Sequence, residues 1–414
     1  MTRRTTLTRA LAATLALGLC LWAGRLLATA ALDLLPGMPP VVDPANLYSE
    51  VSVGHLSPAV VGDLPRVYVP TLKSNEVYVI DPAALRVVDR FPVGPEPQHI
   101  VPSWDLRTLW VNNNGKRGLE GSLTPIDPKT GRPGPAIPVE DPYNLYFTAD
   151  GRSAIVVAER LKQLDFRDPQ EMGLQQSLPT PQCPGVNHAD FSIDGKYAIF
   201  TCEFSGGGLI KVDMVNRTVV GHLKLSRFNF AESLPAPDAG TADSAFCGYG
   251  YGYGMPQDIR ISPDGKLFYV ADMMADGVFV VDGDAFKQIG FIPTGIGTHG
   301  LYPSRDGTKL YVTNRGSHSP KGRWRGPGSI SVIDFATRAV VANWPIPGGG
   351  SPDMGNVSAD GKTLWLSGRY DNLVYAIDTG SGAVTSIPVG IEPHGLTVWP
   401  QPGRYSLGHT GNMR

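Results

Sequence analysis

A short pattern recurs along most of this chain and constrains its fold more than any single residue does. The clearest copy is 310–314, read Leu-Tyr-Val-Thr-Asn, which follows an Asp306-Gly307 turn and precedes the apolar run 331–334. A unit of this size cannot bury its apolar face alone, so several copies must pack side by side. The recurrence therefore predicts one repeat domain.

An aspartate closes a short apolar strand in each copy, and successive aspartates lie between 38 and 69 residues apart. Upstream of each is a run rich in β-branched and aromatic residues, which is a strand signal. In five copies an Asp-Gly pair precedes the second strand, for which a two-residue hairpin turn is predicted. Each unit is then four antiparallel strands, the size of a propeller blade. The aspartates are Asp81, Asp127, Asp165, Asp213, Asp282, Asp334 and Asp378.

Seven such aspartates predict an all-β fold, a seven-bladed β-propeller of four-stranded antiparallel blades. In this interpretation the propeller spans 49–414, an insertion occupies 226–254, and 395–399 closes the ring against the N-terminal blade. The predicted starts of the first strand of a blade, however, number eight if one near Ser57 is included. The sequence pattern of 50–69 also resembles that of 386–407. Eight blades, the last shared between the two termini, are therefore the alternative.

The N-terminus predicts export. Residues 1–30 have Arg3 and Arg4, an apolar run at 10–24 and an Ala-x-Ala site at 28–30, as a signal peptide has. The paired arginines resemble a twin-arginine signal, and an uncleaved membrane anchor is the alternative. Residues 31–48 are Pro-rich and predict a linker. The mature protein is expected to be secreted, periplasmic or at the cell surface.

Charge and motifs exclude several function classes. The formal net charge of −2 gives no reason to expect a nucleic-acid partner. The chain has no Gly-x-Ser-x-Gly nucleophile elbow, no phosphate-binding glycine loop and no His-Glu-x-x-His. A membrane partner is expected only if the N-terminal segment stays uncleaved. The expected partner is a small molecule or a protein at one face of a monomer.

The repeat resembles a known family. The 310–314 stretch with 331–334 (Ser-Val-Ile-Asp), and Pro393-His394-Gly395-Leu396 before an apolar strand, are similar to the YVTN-repeat β-propellers over about residues 50–409. The resemblance implies a propeller fold and does not fix an activity. Architecturally related propellers are the haem d1 domain of cytochrome cd1 and that of nitrous oxide reductase. This chain lacks the Cys-x-x-Cys-His haem-attachment motif.

Most histidines map to one face of the expected propeller. The innermost strand of each blade lines the central channel, and the connection that enters it carries a histidine or aspartate in several blades. His99 and His188 lie four residues before the serine that ends this strand, and His299 and His394 lie five residues before its equivalent. Asp258 and Asp353 occupy corresponding places in other blades. His55 is expected at the same mouth, and His318 and His409 on the same face.

These six positions predict a metal site of His99, His188, His299, His394, Asp258 and Asp353. Imidazoles with one or two carboxylates suit copper, zinc or iron, with copper as the first choice. The structural alternative is that Pro-His-Gly simply starts a strand, the histidine hydrogen-bonding a neighbouring carbonyl.

Three cysteines remain outside the signal. A Cys183–Cys202 disulfide is the expectation, because both positions meet at one edge of one blade; Cys247 pairing with Cys183, or staying a free thiol, is the alternative. Cys247 lies beside a Gly-Tyr run that includes Tyr249 and Tyr251, and these three residues are predicted to cover or bind the cofactor.

Three functions therefore stay open. The favoured hypothesis is an exported propeller that binds a metal or small redox cofactor, as an oxidoreductase. A non-catalytic binding scaffold is the second, and a metal-dependent lyase or lactonase is the third.

Overall fold

A computed structural model describes residues 32–116, 120–204, 207–227, 254–319, 326–409 and 411–414. Residues Leu34–Arg414 form one compact unit of seven antiparallel sheets. Each sheet is a four-stranded blade, although two short pieces replace the outer strand of blade 2. Two 3-10 helices span Ser49–Val51 and Pro58–Val60. In the described ranges, no helix is long and apolar enough to cross a membrane.

The strands follow one another blade by blade. Blade 1 contains β1 (Arg66–Thr71), β2 (Glu76–Asp81) and β3 (Arg86–Pro92). Blade 2 contains β4 (Pro97–Pro102), β5 (Leu109–Asn113), β6 (Ser122–Asp127), β7 (Arg132–Pro133) and β8 (Ile137–Pro138). Blade 3 contains β9 (Pro142–Phe147), β10 (Ala154–Ala158), β11 (Gln163–Arg167) and β12 (Leu174–Pro179). Blade 4 contains β13 (Val186–Phe191), β14 (Tyr197–Cys202), β15 (Leu209–Asp213) and β16 (Thr218–Leu223). Blade 5 contains β17 (Pro256–Ile261), β18 (Leu267–Asp272), β19 (Gly277–Asp282) and β20 (Lys287–Pro293). Blade 6 contains β21 (Thr298–Pro303), β22 (Lys309–Asn314), β23 (Ser329–Asp334) and β24 (Ala339–Pro345). Blade 7 contains β25 (Pro352–Val357), β26 (Thr363–Gly368), β27 (Leu373–Asp378) and β28 (Val384–Pro388). The last strand, β29 (Thr397–Trp399), returns to blade 1 and is its innermost strand.

The innermost strands form a closed ring, which confirms the seven-bladed propeller. In order around the axis they are β29, β4, β9, β13, β17, β21 and β25, and each contacts the next. Ring closure is through β29, where Trp399 pairs with Arg66 and Thr397 with Tyr68. The eight-blade alternative is wrong, because Ser57 does not begin a strand. It caps a 3-10 helix, its Oγ accepting the N–H of Ala59 at 3.2 Å.

The Asp-Gly pairs lie where the sequence predicts turns, between the innermost and second strands. The connections are longer than the predicted two residues, because a serine, or Thr148 in blade 3, lies before each turn and donates a hydrogen bond to the aspartate. In blade 5, Ser262 Oγ donates to Asp264 Oδ1 at 2.5 Å and accepts the N–H of Leu267 at 2.9 Å. Gly265 follows with a φ of +72°, the region that favours glycine. We call the side of the propeller with these turns the turn face and the opposite side the mouth face.

Apolar side chains fill the spaces between neighbouring blades. Tyr146 and Phe166 of blade 3 pack with Phe191 and Phe200 of blade 4, all four fully buried. Full burial of such a ring contributes about 1.5–3 kcal/mol, which holds adjacent blades at a fixed angle. The innermost strands are buried throughout, whereas an outer strand such as β12 is mostly exposed. The rigid inner ring therefore fixes the positions of the channel side chains.

The two ends of the described chain cover the turn face. Residues 34–48, where the sequence predicts a linker, run along it: the N–H of Leu35 donates to Asp194 O at 2.8 Å and that of Leu47 to Pro263 O at 2.6 Å. The C-terminal segment after β29 begins on the same face, where the N–H of Gly403 donates to His55 O at 3.0 Å. His55 is therefore on the turn face, and its predicted place at the mouth is wrong.

Candidate functional site

Two tiers of side chains line the channel at the mouth end of the innermost strands. In four blades, the pairing between the innermost and second strands omits the two residues that belong to these tiers, as it does at a β-bulge. Two adjacent residues can therefore both face the channel. The upper tier, nearer the mouth, is His394, Gln98, Tyr143, Asn187, Gln257, His299 and Asp353. The lower tier is Gly395, His99, Asn144, His188, Asp258, Gly300 and Met354. All six predicted metal ligands lie in these tiers, and all are buried.

Asp353 organises one side of the channel. Nδ1 of His394 lies 2.6 Å from its Oδ2, so the ring donates Nδ1–H to the carboxylate. Nδ1 of His299 contacts Oδ1 at 3.0 Å but is too poorly aligned for a hydrogen bond. Arg315 and Arg369 approach the same carboxylate at 3.5 and 3.7 Å. Asp353 is therefore the shared partner of two imidazoles and two guanidinium groups.

The ionisation states on this side follow from burial and charge. Burial opposes ionisation of Asp353, but Arg315, His299 and His394 outweigh it and hold its pKa well below the usual range. Burial lowers the pKa of His394 to about 3 and that of His299 to about 4, in spite of the carboxylate. At neutral pH the aspartate is ionised and both imidazoles are neutral, the form in which histidine binds metals.

Asn144 organises the opposite side. Its Oδ1 accepts the N–H of Leu145 at 2.9 Å, which fixes the orientation of the amide. Its Nδ2 then lies 3.1 Å from Nδ1 of both His188 and His409. An amide nitrogen can only donate, so both rings accept at Nδ1 and carry their proton on Nε2. Burial lowers the pKa of both imidazoles well below the usual range, so both are neutral.

Asp258 lies beside this pair. Its Oδ1 is 3.6 Å from Nε2 of His409 and accepts a hydrogen bond from Arg260 Nη1 at 2.8 Å. Burial raises the pKa of Asp258 to about 6, against the charge of Arg260. One ligand atom each from His188, Asp258 and His409 lies within 4.8 Å of the others, a spacing that could hold a metal ion.

His99 joins the two sides. Its ring centroid lies 4.7 Å from that of His394, 5.1 Å from that of His409 and 5.6 Å from that of His188. Neither ring nitrogen of His99 has a hydrogen-bond partner among the described residues, and Nε2 of His394 has none either. Burial lowers the pKa of His99 well below the usual range. Buried polar atoms without partners are costly, so these nitrogens mark the place where a ligand fits best.

His409 reaches the cluster from the turn face. Residues 404–409 return against 411–414, with the N–H of Leu407 donating to Asn412 O at 2.8 Å. Arg414 Nη2 anchors this C-terminal segment to Asp190 at 2.6 Å. The N–H of His409 then bonds Leu145 O at 2.9 Å, beside Asn144. The segment therefore blocks the channel from below and places a fifth imidazole in the cluster.

Sequence reasoning missed several residues of the site. It counted His409 on the mouth face after a supposed second strand and left it out of the metal set. It did not select Asn144, Arg315 or Arg369, whose positions at strand ends carry no motif. His318 does lie at the mouth, where Nε2 is 2.5 Å from Asp276 Oδ1, but away from the cluster.

The cysteine predictions have different outcomes. Cys183 and Cys202 form the expected disulfide, which ties the connection before β13 to the end of β14. The predicted cofactor-covering residues, Cys247, Tyr249 and Tyr251, lie outside the described residues. Their role stays a prediction. Six of the seven repeat aspartates cap the turns that follow their strands, for example Asp81 Oδ1, which accepts the N–H of Ala83 at 2.9 Å.

Comparison with known proteins supports the fold. A family model for YNCE-like beta-propellers matches residues 24–402. No curated protein matches the chain. Similar solved structures include a Bacteroides uniformis protein provisionally described as a 6-phosphogluconolactonase, with a TM-score of 0.59, 18% identity, and coverage of 81% of this chain and 99% of that one.

Two further structures share the fold with different functions. The dihydro-haem d1 dehydrogenase NirN has a TM-score of 0.56 and 16% identity, covering 80% of this chain and 75% of its own. Hydrazine synthase from Kuenenia stuttgartiensis has a TM-score of 0.52 and 18% identity, covering 72% and 87%. At these identities the likeness shows the fold alone, so the chemistry must be argued from the channel.

Proposed function

The chain belongs to the YNCE-like β-propeller family, and we propose that it binds a late first-row transition metal, copper first, at the imidazole cluster of its channel. The observation that carries this proposal is the pair His394 and Asp353. The carboxylate accepts a hydrogen bond from Nδ1–H, which leaves Nε2 as a buried lone pair without a partner among the described residues. Carboxylate–histidine pairs of this kind orient metal ligands in proteins.

The other imidazoles divide by their protonation. His99 has two ring nitrogens without a partner among the described residues, and its ring lies beside that of His394. His188 and His409 present a protonated Nε2 while Asn144 donates to their Nδ1 atoms. We therefore assign the first ligand roles to His99 and His394, with His188, His299 and His409 as the neighbouring donors. Asp258 and Asp353 orient rings and balance charge.

The chemistry of this donor set favours copper or zinc over magnesium or calcium, because neutral imidazoles outnumber carboxylates. A copper ion here would supply one-electron redox chemistry, and this would make the protein an oxidoreductase. The chain itself contributes a buried, neutral donor set, two arginines at the mouth and a C-terminal segment that blocks solvent entry from below. Export is part of the proposal, supported by the N-terminal signal features and by the disulfide.

Metal analysis tests the proposal directly. Protein purified from its native compartment, and apoprotein reloaded with copper or zinc, should each bind about one metal ion per chain. The double variant His99→Ala, His394→Ala should lose it, whereas His222→Ala on outer strand β16 should keep it. Equal metal content in the double variant and the control, or no bound metal in any preparation, would refute the site. A non-catalytic scaffold would then be the better interpretation.

Export has a separate test. Replacing Arg3 and Arg4 with lysine should leave the protein in the cytoplasm if a twin-arginine signal acts. Fractionation of the producing cells, with the unchanged chain as the control, measures this. Export of the variant at the normal level would contradict a twin-arginine route.

A further inference from the structure

A third tier of side chains lies above the imidazoles, at the residue that directly follows the second strand of each blade. We call it the exit ring: Leu72, Asn114, Glu159, Glu203, Met273, Arg315 and Arg369. In six of the seven blades the N–H of this residue donates to a carbonyl in the connection that enters the innermost strand, as from Arg315 to Gly297 O at 2.9 Å. The seven positions are therefore equivalent, and they surround the channel mouth.

The exit ring is basic on one side. Arg315 and Arg369 belong to the adjacent blades 6 and 7, and both side chains extend inward to Asp353. Their Nε atoms are buried and have no hydrogen-bond partner among the described residues. Two guanidinium groups face one carboxylate here, so one positive charge is in excess. Arginine presents a planar fork of donors that matches a carboxylate.

The ring is acidic on another side. Glu159 and Glu203 belong to the adjacent blades 3 and 4 and are both buried. Nδ2 of Asn187 donates to Oε2 of Glu203 at 2.9 Å, which shows that Glu203 also reaches inward over the innermost strand. Burial and the charge of Glu203 raise the pKa of Glu159 well above the usual range. Two buried carboxyl groups of adjacent blades therefore make this side of the ring acidic.

The two sides face each other. In a ring of seven blades, blades 6 and 7 lie nearly opposite blades 3 and 4. The remaining members are close to neutral: Met273 lies between the charged sides, and Arg315 Nη1 lies 3.6 Å from its Sδ. Asn114, on the other side, is buried with both amide atoms unpartnered among the described residues. The mouth therefore has a positive and a negative pole across the channel axis.

From this arrangement we propose that the exit ring binds a small zwitterion of the amino-acid class over the imidazole cluster. The carboxylate of the ligand pairs with Arg315 and Arg369, and its ammonium group pairs with Glu159 and Glu203. Asn114 supplies a further donor and acceptor. This proposal names the class of ligand for the same channel, and in that respect it rests on the proposed function. Binding of the zwitterion itself does not require a metal.

Direct binding measurements test this inference. The twenty standard amino acids are screened singly by thermal shift against the full-length protein, both chelator-treated and copper-loaded. The best ligand is then compared by calorimetry with two half-analogues, the same molecule without its amino group and the same molecule without its carboxylate. Arg369→Gln and Glu203→Gln each remove one pole. Arg90→Gln, on the exposed outer strand β3, is the matched control.

We expect the amino acid to bind about tenfold more tightly than either half-analogue, because each pole adds a charge-assisted contact. Arg369→Gln and Glu203→Gln should each weaken it by about tenfold, and Arg90→Gln should not. Binding is measured on the chelator-treated protein as well as on the copper-loaded protein, so an absence of metal binding would count against the proposed function alone. If no amino acid binds, or if the carboxylic acid binds as well as the amino acid and Glu203→Gln has no effect, the zwitterion proposal is wrong.

Discussion

Nδ1 of His394 and Oδ2 of Asp353 lie 2.6 Å apart, although the two residues come from different blades. Both are fully buried, and the carboxylate also faces His299 and two arginines. This contact fixes both the orientation and the tautomer of a ring whose centroid lies 4.7 Å from that of His99.

Replacing Asp353 with asparagine should weaken metal binding by about 10- to 100-fold, as loss of a carboxylate behind a ligating histidine does. Competition with a chelator of known affinity measures this. The variant also leaves Arg315 and Arg369 without a compensating charge, which should lower the free energy of unfolding by about 3–5 kcal/mol. Asp378→Asn, an exposed turn cap on blade 7, is the control. Unchanged affinity in Asp353→Asn would show that the carboxylate orients no ligand.

Gly395 leaves room for His99. A Cβ at this position would collide with the imidazole of His99, because the innermost strands of blades 1 and 2 run side by side here. Gly395→Ala should therefore displace the His99 ring and lower metal affinity by about tenfold or more, the effect of misplacing one ligand.

The matched control is Gly290→Ala on outer strand β20, where an added Cβ makes only ordinary contacts with Val280. Metal titration of both variants gives the comparison. Equal affinities would mean that His99 does not contribute to the site.

The histidine tautomers can be observed by NMR on protein labelled with ¹⁵N-histidine. In the metal-free protein at pH 7, His394 should be protonated at Nδ1, and His188 and His409 at Nε2, because Asn144 donates to their Nδ1 atoms. Asn144→Ala should release both rings and mix their tautomers, while His394 stays unchanged. A His188 ring protonated at Nδ1 in the unaltered protein would contradict the orientation of the amide.

The turn-capping aspartates should make the protein sensitive to acid. Backbone N–H groups of Ala84 and Ala83 lower the pKa of Asp81, that of Thr337 lowers the pKa of Asp334, and Ser381 lowers that of Asp378. When the pKa of an aspartate is lower in the folded state than in the unfolded state, its ionised form stabilises the fold. This stabilisation is fully present above the unfolded-state pKa, near pH 4, and is lost as the pH falls through the folded-state pKa.

Urea unfolding between pH 2 and pH 6 measures this loss. Asp81→Asn should flatten the acid limb of the stability curve, because the asparagine side chain accepts the same hydrogen bonds without titrating. Glu171→Gln, an exposed carboxylate at another turn, should leave the limb as it is. An unchanged limb in Asp81→Asn would show that this cap does not contribute.

The sequence by itself determined the repeat and therefore the fold. Strands rich in β-branched and aromatic residues, turn-capping aspartates and Asp-Gly turns are local signals that act within one blade. Strand order and the mouth positions of His99, His188, His299 and His394 followed from them, and seven blades were favoured with eight as the alternative. Even the split of the candidate histidines into two sets, four and five residues before the end of the innermost strand, corresponds to the two tiers.

Only the tertiary structure decided which of these side chains meet and what else joins them. His409 enters from a C-terminal segment that blocks the channel, Asn144 sets two tautomers, and Arg315 reaches Asp353 across a blade boundary. These contacts join residues that lie far apart in the chain or in different blades, and closure of the ring creates them. No local pattern records them, because each depends on how far the inner ends of the seven blades converge at the axis.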